Sequence, residues 1–72
     1  MTAARLNVER LRRELVIRGW NGVDLAIHAQ VSPATVSAAL RGRPVASNTI
    51  RKMALALSKA PPLAGTEDIL AA

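Results

Sequence analysis

The chain has 72 residues, with ten Lys/Arg against five Asp/Glu for a net charge of +5, no cysteine and a single histidine. This length holds one small core, and the composition excludes a disulfide framework, a Cys-based zinc site and a His-rich metal cluster. Half of the residues are apolar, many of them Ala, and Trp20 is the only aromatic, a mixture that suits small helices packed closely together.

The charge is unevenly spread. Residues 1–59 hold all ten basic groups and only Glu9, Glu14 and Asp24, a net +7, whereas 60–72 carry only Glu67 and Asp68. A small basic body of this kind suits a polyanionic partner, nucleic acid first among them. The uncharged run Leu25 to Leu40 is shorter than the ~18–20 residues of a membrane span, and Pro33, Gln30 and several hydroxyls interrupt it. The N-terminal residues lack the apolar core of a signal peptide, so a cytoplasmic protein is expected. No Cys–His set and no carboxylate pair suggests catalysis, so no enzyme, cofactor or metal is expected.

In chain order, residues 1–6 read as a flexible arm carrying Arg5. Asn7 is an N-cap, and Val8, Leu11 and Leu15 recur at helical spacing to make a first amphipathic helix. Gly19 stops it, with Arg18 in its last turn. Trp20 reads as a packing plug at this corner. Asn21 and Asp24 have the spacing of a capping box opening a second helix, whose inward face is Leu25, Ala26 and Ala29. His28 points away and reads as a surface side chain.

Gln30-Val31-Ser32 forms a turn with Val31 pinned to the core, and Ser32-Pro33 is an N-cap followed by a first-turn proline. The third helix turns Val36, Ala39 and Leu40 inward and Pro33, Ala34, Ser37, Ala38 and Arg41 outward, and Gly42 ends it. After the loop Arg43-Pro44-Val45-Ala46, Ser47 is expected to cap a fourth helix with Ile50, Met53, Ala54 and Leu57 on its apolar face and Arg51 and Lys52 outside. Pro61-Pro62 breaks the chain. Residues 61–72 form a tail or a last short helix, with Thr66, Glu67 and Asp68 in its first turn and Ile69 and Leu70 behind. The stretch 21–42 has the sequence shape of a helix-turn-helix, the unit that places one helix in a DNA major groove.

The residues that define this stretch carry a family resemblance. Arg18-Gly19, Leu25-Ala26, Val31-Ser32, Thr35-Val36-Ser37 and Arg41-Gly42 resemble the Cro and lambda-repressor family of helix-turn-helix proteins, across about residues 7–58. Pro-Ala-Thr-Val-Ser at 33–37 is also similar to the lactose-repressor headpiece. The resemblance implies an all-α, compact bundle of about five short helices forming a single lambda-repressor-like domain. Three positions depart from the family. Gln30 stands where Gly is usual, which asks a non-glycine residue for a positive φ. Gly22 replaces a polar, phosphate-touching residue and offers a helix-start amide instead. Leu15 and Leu40 stand where the family often has an Arg–Glu pair, a paired replacement by apolar residues that preserves stability; the two are expected to touch.

What the resemblance implies about function is a sequence-specific regulator of transcription, a small phage or prophage Cro-type repressor. The third helix would present Pro33, Ala34, Ser37 and Ala38 to base edges, with Thr35 and Arg41 at its flanks. Phosphate contacts would come from Gly22, Ser32, Arg41, Arg43, Ser47 and Asn48, while Arg10, Arg12 and Arg13 are either further contacts or a solvated face. The partner is double-stranded DNA with a pseudo-palindromic operator, bound by a homodimer. Leu63, Ile69 and Leu70 form either the dimer surface or a cap on the monomer core; no small-molecule ligand is expected. The alternative is an antitoxin or anti-repressor type of protein-interaction module built on the same fold.

Overall fold

The structure, a computed structural model, describes Ala3–Ala4 and residues 6–63. The chain runs β1 (Ala3–Ala4), α1 (Val8–Arg18), α2 (Gly22–Ala29), α3 (Pro33–Leu40), β2 (Val45–Ala46) and α4 (Ser47–Lys59). It is mostly helical, with four helices among the described residues rather than about five; the last helix expected near residues 66–70 lies outside them.

The first three helices begin where short-range chemistry dictates. The Asn7 side chain accepts the Arg10 amide at 3.0 Å, satisfying one of the free donors at the start of α1. Gly19 closes that helix at φ 70°, a left-handed conformation that glycine adopts without a Cβ clash. A methyl at Gly19 would also lie 2.6 Å from Leu63 Cδ1, so both backbone and space favour glycine there. The fourth helix starts differently from expectation. Its cap is Ala46, which offers no side-chain acceptor, and Ser47 is already the first helical residue. The cause is the ladder: antiparallel pairing of Ala3 with Ala46 and Ala4 with Val45 holds residue 46 extended, so helical geometry begins only after it. The same pairing ties down two residues of the arm expected at 1–6, and Leu6 packs against the core.

One apolar cluster joins all four helices: Leu11 and Leu15 of α1, Leu25, Ala26 and Ala29 of α2, Val36 and Ala39 of α3, and Met53 and Ala56 of α4, with Val45 of β2. Helix α2 packs against both α3 and α4, and its Ala26, 2% exposed, leaves room for that close approach. Trp20, Val31, Ile50 and Leu57 pack against the same cluster. Two details differ from the helical spacing expected. On α4, Ala56 is buried and Ala54 exposed; on α3, Ala38 is half-buried against the core rather than facing outward. Leu15 lies in the cluster and Leu40 packs against it, so both expected partners serve one core.

Arg18 fastens the two ends of the chain's helical part together. Its side chain, 10% exposed, donates from Nε to the carbonyls of Leu57 (3.1 Å) and Ala60 (2.9 Å) and from Nη1 to Glu14 Oε1 (2.7 Å). Thus α1 supplies a donor for the Ala60 carbonyl just past the end of α4, and a second donor for the Leu57 carbonyl, which also accepts the Ala60 amide at 3.2 Å. Among the described residues no helix is long and apolar enough to cross a membrane.

Candidate functional site

The site is built by the short connection between α2 and α3 and by what stands beside it. Asn21 and Asp24 cap each other reciprocally: Asn21 Oδ1 accepts the Asp24 amide at 2.8 Å, and Asp24 Oδ2 accepts the Asn21 amide at 2.9 Å. This fixes the start of α2 while the first-turn amides of Gly22 and Val23 have no carbonyl of their own helix to donate to. At the other end Gln30 takes φ 58°, ψ 46°, and Val31 donates to the Ala26 carbonyl at 3.0 Å. That closure is a Schellman-type turn made without glycine.

Helix α3 then starts on Ser32. Its Oγ accepts the Thr35 amide at 3.1 Å and shares a 2.7 Å hydrogen bond with Thr35 Oγ1, and Pro33 follows where a missing N–H costs nothing. Past the Arg41 C-cap the chain turns at Gly42, φ 76°, where Gly42 donates to the Ala39 carbonyl and Arg43 to that of Ala38. A side chain from another helix completes this end: Arg12 Nη2 donates to the Leu40 carbonyl at 2.9 Å. The approach of α2 to α3 is close, since a methyl on Gly22 would meet Val36 Cγ1 and Leu40 Cδ1 at 3.5 Å.

Between these elements lies an open groove of about 600 Å³, lined by Arg12, Asn21, Gly22, Val23, Pro33, Ser37, Leu40 and Arg41. It brings together four of the residues singled out from the sequence, Gly22, Pro33, Ser37 and Arg41, and adds Arg12, which the sequence left undecided. No acidic residue lines it; two guanidinium groups and the amide end of α2 face it, and the neighbouring Asp24 carboxylate is bonded to the Asn21 amide. Arg12 is bonded through one guanidinium N–H only among the described residues, which leaves further donors for a ligand in the groove.

The other expected residues are placed apart from it. Ala34 is exposed on the adjoining flank of α3. Ser32 and Thr35 spend their hydroxyls on each other and on the helix start. Ala38 packs inward. Arg43 is exposed beyond the end of α3, and Ser47 and Asn48 are exposed on the first turn of α4. Leu63 lies against Gly19, with its amide on the Ile17 carbonyl at 2.8 Å, away from the groove. Ile69 and Leu70 lie outside the described residues. Among the described residues no three His, Cys, Asp or Glu side chains gather as a metal ion requires.

The sequence could not tell Arg12 from Arg10 and Arg13, because its partner carbonyl is 28 residues away and any of the three arginines fits the helical pattern equally well. His28 holds one surprise. It is exposed as expected, but its ring lies parallel to that of Trp20, with centroids 4.2 Å apart and planes 3° from parallel. No protein-family model, curated protein or solved structure matches the chain.

Proposed function

We propose that the chain is a sequence-specific, double-stranded DNA-binding regulator of the Cro type, in which α2, the turn and α3 form a helix-turn-helix and α3 enters the major groove. The observation that carries this reading is the acid-free groove in which Arg12, Ser37, Arg41 and the start of α2 meet beside the exposed flank of α3. A backbone phosphate is the ligand such a groove suits: guanidinium groups and helix-start amides both favour a tetrahedral anion. Pro33 and Ala34, exposed on the same helix, would then lie against base edges. They supply methyl and methylene contacts rather than bidentate hydrogen bonds, which suits thymine-rich steps and a modest gain per half-site. Dimeric binding to a pseudo-palindrome, from the cytoplasm of a phage-bearing or prophage-bearing cell, belongs to the same proposal.

The test is a gel-shift of the chain with random-sequence duplex across a salt series. Affinity that falls steeply with salt is the expected result. A second reading, a protein-interaction module, is favoured by the exposed Val23 (53%) and Ile27 (68%), one turn apart on α2. Absence of DNA binding even at low salt would select that module and discard the regulator. Selection of bound sequences from a random duplex pool then reports the operator and, through its symmetry, the number of subunits on it.

A further inference from the structure

We infer that the chain reads the 5-methyl group of a major-groove pyrimidine, so that 5-methylcytosine stands in for thymine in its DNA and methylation of a cytosine there strengthens binding. The inference rests on the proposed entry of α3 into the major groove and names what that helix would recognise. It starts from how α3 is divided along its length. Both guanidinium groups of the groove belong to the far end of the helix, Arg41 as its C-cap and Arg12 through its 2.9 Å bond to the Leu40 carbonyl. Pro33 begins the helix seven residues before Leu40, about 10 Å away along its axis, and lines the same groove. Charge for a phosphate and a surface for a base edge therefore lie side by side.

That base-edge surface holds almost nothing that hydrogen-bonds selectively. Residues 33–40 contain no Arg, Lys, Asn, Gln, Asp or Glu. Of these eight, only Pro33 and Ala34 are exposed, a ring without an N–H and a methyl group. Ser32 Oγ and Thr35 Oγ1 share one hydrogen bond, and Ser32 Oγ also accepts the Thr35 amide, so both serve the helix start. Ser37 is half-buried in the groove wall, and a hydroxyl, which donates or accepts, meets any base edge about equally well. Gln30, the amide side chain closest in sequence, lines a different groove with Lys52 and Lys59 of α4. What remains to tell one base pair from another is carbon, and in the major groove the carbon group that differs is the thymine 5-methyl.

A reader made of carbon behaves differently from one made of amides or guanidiniums. It is indifferent to the purine across the pair, whose edge changes from the N6 donor of adenine to the O6 acceptor of guanine. A 5-methylcytosine–guanine pair therefore offers α3 the same contact as a thymine–adenine pair, and unmethylated cytosine offers none. Covering one methyl group with Pro33 and Ala34 is worth about fourfold in affinity, and two such contacts multiply to about sixteenfold. The exchange leaves the phosphates alone, so the dependence on salt stays the same.

The test takes the full chain and one duplex selected from a random pool, remade with single base exchanges and measured by gel-shift at fixed salt. Uracil in place of a selected thymine is expected to weaken binding about fourfold per methyl lost. Exchanging the same pair for cytosine–guanine should weaken it equally, and 5-methylcytosine–guanine should restore it. Ala34→Gly should narrow the gap between thymine and uracil without changing the salt slope, with circular dichroism checking that the helices persist; the base exchanges need no variant. Indifference to uracil, or failure of 5-methylcytosine to restore binding, overturns the inference and leaves DNA binding standing. Loss of discrimination only when 7-deazaguanine replaces guanine overturns it in favour of Arg41 as a guanine reader, and a selection that enriches no sequence overturns it too. Absence of binding to every duplex at low salt removes the regulator itself, and this inference with it.

Discussion

At the scale of single residues, two side chains carry consequences that bench measurements can separate. Gln30 is the only non-glycine residue with positive φ among those described, and the left-handed region costs an L-residue about 1–2 kcal/mol. Glycine would remove that strain but loses about 0.5–1 kcal/mol of its own through chain entropy. The balance predicts that Gln30→Gly stabilises the chain slightly, by about 0.5 kcal/mol, read from urea unfolding; a loss of stability would mean that the glutamine side chain contributes something the turn geometry does not reveal. Arg18 is the opposite case. Its removal takes the side-chain donor from the Ala60 carbonyl, leaves the Leu57 carbonyl with the Ala60 amide alone and leaves Glu14 with Arg10 as its one remaining partner, so Arg18→Met is expected to cost about 1–3 kcal/mol. The hydrogen bond from Arg18 is also the main reason that the Glu14 carboxyl is held below its ordinary value of 4.5, with burial opposing and Arg10 assisting. A carboxylate with a lowered folded pKa stabilises fully above its unfolded pKa and loses that contribution as pH falls through the folded one. Unfolding followed between about pH 6 and pH 3 should therefore show an acid limb that Glu14→Gln makes shallower.

At the scale of elements, what was legible in the sequence was what is local. The caps at Asn7, Asn21–Asp24 and Ser32–Pro33 each close over three residues or fewer, so residue type and spacing were enough to place them. The inward face of α2 was equally readable, because Leu25, Ala26 and Ala29 have a single helical solution. The beginning of α4 was not: two two-residue strands carry no periodicity, yet their pairing moved the cap from Ser47 to Ala46. Nor was the role of Ala38, since an eight-residue helix in contact with α1, α2 and β2 has little outward surface left. In the groove, Gly22, Ser37 and Arg41 came from one stretch and were found together; Arg12 came from α1 and could be told from Arg10 and Arg13 only once α1 was folded over α3. The packing of α2 gives this scale its own prediction. Ala26 sits at 2% exposure in the helix that touches both α3 and α4, and Ala26→Leu would force α2 away from them. A loss of about 1–3 kcal/mol is expected, with the turn at 30–32 displaced, whereas Ala54→Leu on the exposed side of α4 should be nearly neutral by the same denaturation assay.

At the scale of the whole molecule the question is whether the proposed DNA affinity would follow net charge or follow the groove. All ten basic residues of the chain precede residue 60, so a purely diffuse attraction would make each arginine worth about the same. The groove makes a sharper demand. Arg12 and Arg41 line it; Arg13, next to Arg12 on α1 and exposed, does not. Arg12→Met, Arg41→Ala and Arg13→Ala all lower the net charge by one, from +5 to +4. Each true phosphate contact contributes about 0.9 to the slope of log affinity against log salt on duplex DNA, so losing one should flatten the slope by about 1. The expected outcome is a flattened slope for Arg12→Met and Arg41→Ala and an unchanged slope for Arg13→Ala, measured on one random-sequence duplex well below each unfolding midpoint. Equal flattening in all three would show that the body acts as a featureless cation and would remove the groove from the interface. Arg12 is the more demanding half of the pair, because its guanidinium already holds the Leu40 carbonyl. That bond ties the end of α3 to α1, so in the proposed complex the group that would hold the phosphate would also set the angle at which α3 meets DNA. Arg12→Lys therefore separates the two roles: the charge survives and the salt slope should too, while discrimination between selected and random sequence should fall as the planar, two-sided donor is lost.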